Sequence, residues 1–203
     1  MTVIGLTGPS GSGKGKVASL MSEYGVQHID ADVVYHNMLK PPSECLDELV
    51  LTFGERILTP SGKLDRKKLA LLVFGQGNEE KLKRLNSITH KYVCSRIRQI
   101  IKYYQDLGHK ACVVDAPLLF EAGFDSECDF VICVIADTDT RVGRISARDN
   151  ITCDQAMLRI SSQKPDEFYI ERSDHVLYNN GTEESLRSDV CSLMTEKGIG
   201  GVT

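Results

Sequence analysis

Gly8-Pro9-Ser10-Gly11-Ser12-Gly13-Lys14 fills the first seven positions of a phosphate-binding loop, G-x-x-x-x-G-K, and its flanks decide the fold. Before it, Val3-Ile-Gly-Leu-Thr7 is a short, mostly apolar run, the pattern of a strand buried on both faces. After it, Val17, Leu20, Met21 and Tyr24 recur at i, i+3, i+4 and i+7, which predicts a helix closing near Gly25. Strand, glycine loop and helix together let backbone N–H groups turn around a phosphate. The helix adds its positive end there and Lys14 a full charge. Gly11, Ser12, Gly13, Lys14, Gly15 and Lys16 are therefore candidate nucleotide-binding residues. The eighth position, where Ser or Thr would ligate Mg²⁺, is Gly15, so water would have to complete that ion's shell.

Outward from the loop, Val26 to Asp32 reads as a second extended piece ending in Asp30 and Asp32. Two apart on a strand, these carboxylates are expected to point the same way, at the sheet edge where ligands bind. From Leu39 to Gly108 the pattern is helical, with stripes at Leu46, Leu49, Val50 and Phe53 and at Val93, Ile97, Ile100, Ile101 and Tyr104. Pro41-Pro42, Thr59 to Gly62 and Gly75 to Asn78 punctuate it as loops. Ala111 to Asp115 and Asp129 to Ala136 return to buried-strand character. A polar, helical stretch with arginines at 141, 144, 148, 159 and 172 follows, then a short strand at His175 to Tyr178 and a helix carrying Leu186, Val190, Leu193 and Met194. Strands alternating with helices predict an α/β fold with a parallel five-stranded sheet flanked by helices. The expected organisation is one domain: a core of about residues 1–38, 109–136 and 174–203, a helical subdomain of about 39–108 and a lid of about 137–173.

The 203 residues carry 24 Lys+Arg against 28 Asp+Glu, a net charge of −4, with 41% apolar residues. That balance suits a globular chain and disfavours broad nucleic-acid binding, so any polyanionic ligand needs a local positive site. Seven cysteines, an odd number without a C-x-x-C pair, read as reduced thiols rather than a disulfide frame or zinc site. The first residues show neither a basic leader nor a long apolar run, so no signal peptide or membrane span is expected and the cytoplasm is the expected compartment.

Further motifs appear in order along the chain: Ile29-Asp-Ala-Asp32, Phe53-Gly54, Gly62-Lys-Leu-Asp-Arg66, Leu85-Asn-Ser-Ile88 with His90, and Pro117-Leu-Leu-Phe-Glu121. Arg144 with Arg148-Asp149, Arg159-Ile160 with Gln163, and Asn179-Asn-Gly181 follow. With the loop, they make residues 3 to about 187 resemble the dephospho-CoA kinase family, the Asp-Ala-Asp and Pro-Leu-Leu-Phe-Glu segments being the discriminating ones. The resemblance implies ATP-dependent phosphorylation of the ribose 3′-hydroxyl of dephospho-CoA, with ATP and Mg²⁺ as cofactors. It implies that Asp32 orients the acceptor hydroxyl and takes its proton, and that Asp115 is the candidate holder of Mg²⁺ through water. It also implies that Arg144 and Arg148 close over the triphosphate, that Asn179 lies near the adenine, and that His90, Pro117, Leu118, Leu119 and Glu121 face the acceptor bound by the helical subdomain. Two departures stand out: Gly15 and Lys16 replace hydroxyl residues, and Lys91 follows His90 where the family has Pro. Gly13-Lys14-Gly15 alone would also suit a nucleoside monophosphate kinase, and the missing hydroxyl a non-catalytic nucleotide sensor.

Overall fold

The computed structural model describes residues 1–75 and 77–200. Gln76, in the loop expected at 75–78, and the end of the core segment expected at 174–203 lie outside the described residues. The chain divides into two compact units, one of Met1–Ile29 with Ile101–Thr203 and the other of Asp30–Ile100.

The first unit is built on strands β1 (Thr2–Thr7), β2 (Gln27–Asp30), β3 (Ala111–Asp115), β4 (Phe130–Ile135) and β5 (His175–Tyr178). They form a parallel five-stranded sheet in the order β2-β3-β1-β4-β5. Leu6 of β1 stands opposite Asp115 of β3 and Ile132 of β4, and every residue of β4 is buried. This explains the unbroken apolar runs: a strand with helices over both faces has no side for water. On one face, α1 (Lys14–Ser22) and α9 (Glu183–Glu196) bring Val17, Leu20, Met21, Val190 and Met194 into a single cluster with Ile4, Leu6 and Leu177. A smaller cluster gathers Cys133, Ile135 and Tyr169 against Phe120 and Phe168. The polar stretch after β4 forms α6 (Thr138–Asp149), α7 (Cys153–Ser161) and α8 (Asp166–Ile170). From β1 the chain passes toward the β2 edge and from β4 toward the β5 edge. Diverging connections open a crevice at the carboxyl ends of the adjacent strands β1 and β4, where open α/β sheets bind ligands.

The second unit has its own core of Leu49, Phe53, Ile57, Leu69, Val73, Leu85 and Ile88. It comprises α2 (Ala31–Met38), α3 (Glu44–Phe53), α4 (Arg66–Val73) and most of the long α5 (Glu79–Asp106). Ser43 caps α3 by accepting from Leu46 N, and Asp65 caps α4 by accepting from Lys68 N. Between these helices, an isolated antiparallel bridge from Leu58 to Leu64 closes the turn at Thr59 to Gly62.

One expectation is corrected at the start of this unit. The second extended piece ends at Asp30, whose Oδ1 accepts from Val33 N and caps α2, so Asp32 sits in the first helical turn instead of on a strand. The two carboxylates therefore do not share a strand face. Asp30 serves the helix end, while Asp32 is exposed at the positive end of α2, which favours an acid there.

Among the described residues no helix is long and apolar enough to cross a membrane. All seven cysteines are free; Cys153 and Cys191 are exposed, whereas Cys45, Cys94, Cys112 and Cys133 are buried. Burial pushes the thiols of Cys45 and Cys112 up to about 11 and that of Cys128 to about 12, so they stay protonated at neutral pH. Alkylation of the native protein at neutral pH should therefore mark Cys153 and Cys191 first, the others reacting only in denaturant. Peptide mapping that found Cys112 or Cys128 labelled at a comparable rate would contradict this packing.

Candidate active site

The loop from Gly8 to Lys14 joins β1 to α1 with backbone angles only glycine adopts easily. Gly8 has φ 135°, and a Cβ there would collide with the Val134 carbonyl oxygen; Gly13, at φ 100°, is the N-cap of α1, and a Cβ would collide with the Asn179 amide. The sequence thus uses glycine where the loop passes β4 and the turn after β5.

What holds the loop open is a set of donors on its carbonyls. Lys14 Nζ donates to Gly8 O at 2.9 Å and to Pro9 O at 3.4 Å. Arg141 Nε donates to Ser10 O at 3.0 Å. Arg144 Nη1 donates to Gly11 O at 3.2 Å and Ser12 O at 3.1 Å, and Asn179 Nδ2 donates to Ser12 O at 2.8 Å. With these carbonyls engaged by side chains, the first N–H groups of α1, which have no partner in their own helix, face the remaining side. Ser12 Oγ is fully buried within this loop and has no hydrogen-bond partner among the described residues.

Three of these donors are themselves fixed. Arg144 Nη2 donates to Asn179 O at 3.1 Å, locking the arginine and the asparagine into one unit. Asn179 N in turn donates to Ile135 O at 2.8 Å, continuing the sheet ladder past β5. Arg141 is only 3% exposed, and its guanidinium also donates to Asp166 Oδ1 at 3.1 Å and Gln163 Oε1 at 3.2 Å. The same Gln163 oxygen accepts from Ser10 N at 3.1 Å, so both backbone groups of Ser10 are held from α6 and the segment after α7.

Gly11, Ser12, Gly13, Lys14, Arg144 and Asn179 are thus brought together. Arg141 and Gln163 belong with them, yet the sequence marks Arg141 only as one cation on a polar helix. Asn179 spends its amide on the loop itself. Lys16 bonds Glu183 at the start of α9 at 2.5 Å. Arg148 forks onto Asp149, with Nε at 2.8 Å and Nη2 at 2.9 Å, and Arg159 joins the same carboxylate. These two arginines hold Asp149 well below the usual carboxylate range, at about 2. Neither Lys16 nor Arg148 is among the side chains holding the loop.

Asp115 ends β3 with its carboxylate largely buried, one oxygen 3.7 Å from His28 Nε2 of β2. Pro117 is half-buried and Leu118 and Glu121 are exposed in the turn after β3. Leu119 requires a correction: it is fully buried and packs over Gly5 of β1, so it supports the sheet and offers no surface to an acceptor. Asp32 in α2 and His90, half-buried on α5, belong to the unit Asp30–Ile100.

A parallel sheet in this strand order, with a phosphate-binding loop after β1 and an arginine from the helix after β4 upon it, defines a P-loop kinase. A profile described as dephospho-CoA kinase matches residues 2–185, and the chain belongs to that family. It is 40% identical over 196 residues to dephospho-CoA kinase of Corynebacterium glutamicum, covering 97% of each chain. A crystal structure from Thermus thermophilus superposes with a TM-score of 0.78 at 31% identity, covering 96% of this chain and 97% of that one. The structure of dephospho-CoA kinase from Campylobacter jejuni gives a TM-score of 0.68 at 26% identity, covering 97% and 98%.

Replacing Arg141 by Ala leaves Ser10 O and Gln163 without their donor and a half-buried Asp166 without its cation. Because Asp166 keeps some solvent, the expected loss of stability is about 2 kcal/mol, below the range for a fully buried pair. Thermal unfolding checks this value, and an R141A protein as stable as the parent would show that Arg141 does not fix the loop.

Proposed function

We propose that the chain transfers the γ-phosphoryl group of ATP to the ribose 3′-hydroxyl of dephospho-CoA, giving CoA and ADP. The observation that carries this reading is the loop whose carbonyls at Ser10, Gly11 and Ser12 are held by Arg141, Arg144 and Asn179, in a chain of the dephospho-CoA kinase family. A loop fixed this way presents N–H groups to an anion without reorganising as the reaction proceeds.

In this reading the loop N–H groups and Lys14 bind the β- and γ-phosphates, Lys14 exchanging its loop carbonyls for phosphate oxygens. Ser12 Oγ, buried and unpartnered within the loop, gains an acceptor from the same phosphates. Arg144, already at the loop, neutralises charge as it spreads over the phosphoryl oxygens. Asp32 orients the 3′-hydroxyl and receives its proton as the O3′–P bond forms and the bond from Pγ to the β-phosphate oxygen breaks. Phosphoryl transfer of this kind has a loose transition state, so positioning and late proton acceptance suffice. The largely buried carboxylate of Asp115 at the end of β3 is a hard oxygen donor of the type Mg²⁺ takes, and would hold that ion through water. Bound there, the ion would supply charge neutralisation to the phosphates. The second unit, with Asp32 and His90, is read as the acceptor-binding part, and residues 137–173 as the lid. Seven free cysteines support a cytoplasmic setting.

Purified protein given Mg²⁺-ATP and dephospho-CoA should form CoA, with AMP, UMP and CMP far poorer acceptors when offered side by side. D32N should lower kcat by about 100-fold or more while KM for ATP changes little, as expected for loss of a positioned base. ATP binding without CoA formation would replace this reading with that of a nucleotide sensor, and faster turnover of a nucleoside monophosphate with that of a nucleotide kinase.

Gly15 offers an independent check on the metal. A Cβ at this position meets nothing within 4 Å, so a serine fits without displacing a neighbour. G15S should lower the Mg²⁺ concentration giving half-maximal rate, since the new hydroxyl replaces a water in the ion's shell. An unchanged Mg²⁺ titration would show that the loop holds the metal by other means.

A further inference from the structure

Gly62-Lys-Leu-Asp-Arg66 is a motif that takes no part in the machinery above. With the end of α2 it lines a cavity of ≈ 590 Å³ within the unit Asp30–Ile100. His36, Lys40, Lys63 and Arg66 contribute its polar lining, Leu39 and Leu64 are among its apolar walls, and no carboxylate lines it among the described residues.

Four observations give this cavity a chemistry. First, Arg66 Nη1 lies 2.9 Å from His36 Nε2. A guanidinium only donates, so the imidazole nitrogen is the acceptor here, and it aims the arginine without bringing a carboxylate to cancel its charge. Second, the Lys63 ammonium makes no side-chain hydrogen bond or ion pair among the described residues, and Lys40 Nζ donates only to the neutral Asn37. Third, Arg66-Lys67-Lys68 opens α4 with three cations and no acid in the first turn, the wrong sign for the positive end of a helix. The adjacent Asp65 serves the helix end by accepting from Lys68 N at 3.1 Å. Asp65 also lies 3.6 Å from Lys68 Nζ and answers that cation, which leaves Arg66 and Lys67 as the surplus an anion would relieve. Fourth, Asp32 and His36 lie four residues apart on α2, so the carboxylate and the cavity-lining imidazole share one face of that helix.

We infer that this cavity is a phosphate subsite that receives the 5′-pyrophosphate of the acceptor nucleotide while its ribose 3′-hydroxyl reaches Asp32. The inference rests on the reading of Asp32 as the acceptor base. Guanidinium and ammonium groups suit a phosphoanhydride, Arg66 as a planar fork and Lys63 as a point charge. The cavity's size lies within the usual range for small-molecule sites of about 300–1,000 Å³, and its apolar walls suit what extends beyond the pyrophosphate.

The test compares dephospho-CoA with adenosine, which keeps the 3′-hydroxyl and lacks the pyrophosphate, in the parent protein and in K63A, R66A and R66K. The preference for dephospho-CoA over adenosine, measured as the ratio of kcat/KM, should fall about tenfold or more in R66A and less in R66K and K63A, with KM for ATP moving less than twofold. Inorganic pyrophosphate should inhibit the parent competitively against dephospho-CoA, and R66A more weakly. Lys63 is exposed and makes no side-chain bond, so K63A folds as the parent does and keeps the test valid should R66A be unstable. An unchanged preference in K63A and R66A, or equal losses for both acceptors, overturns the subsite while leaving the function standing. No turnover of dephospho-CoA by the parent overturns the function, and the subsite as an acceptor site with it.

Discussion

The structure depends on how the carbonyls of residues 8–12 are disposed of. A loop that binds phosphate with its N–H groups must send its carbonyls elsewhere, and an unpaired buried carbonyl is costly. Here Gly8 and Pro9 are served by Lys14 of the same loop, Ser10 by Arg141, and Gly11 and Ser12 by Arg144 and Asn179. The strand order makes this feasible. Placing β4 beside β1 sets the start of α6 next to the loop, and β5 beside β4 delivers Asn179 to the same place. Sheet topology and phosphate chemistry are one arrangement seen at two scales.

Much of this is legible in the chain because the relevant signals are local. The loop motif, the apolar run before it and the 3.6-residue stripe after it report strand, turn and helix, and the solid apolar runs at 111–115 and 130–135 report a doubly covered sheet. Arg141 is illegible for the opposite reason. On a helix rich in charge it looks solvated, and its burial exists only once Ser10, Gln163 and Asp166 have been brought to it from three other segments. Leu119 misleads differently: the family resemblance of its segment implies a place facing the acceptor, while the missing side chain of Gly5 leaves room over β1 that it fills. Asp30 carried a readable signal: an acid followed by Ala-Asp and an apolar repeat is also a helix start, and the cap wins over strand alternation.

The second unit draws on a different balance. Its core of leucine, isoleucine, valine and phenylalanine is complete within residues 39–88, and its helices are closed by short-range caps. Some of its charges still serve the fold, Asp65 capping α4 and Arg56 Nε donating to Phe53 O, while three cations open that one short helix. The first unit buries one arginine, Arg141, beneath its loop, whereas Arg66 of the second stays exposed.

The bond between Asn179 and Ser12 spans 167 residues of sequence. Chains are made from the amino end, so Gly8 to Lys14 is among the first segments to emerge and one of its fixing partners among the last. Until residue 179 has left the ribosome and β5 has docked, the loop lacks the amide that draws its carbonyl outward. The amide that fixes Ser12 O is thereby supplied only once the chain has reached residue 179.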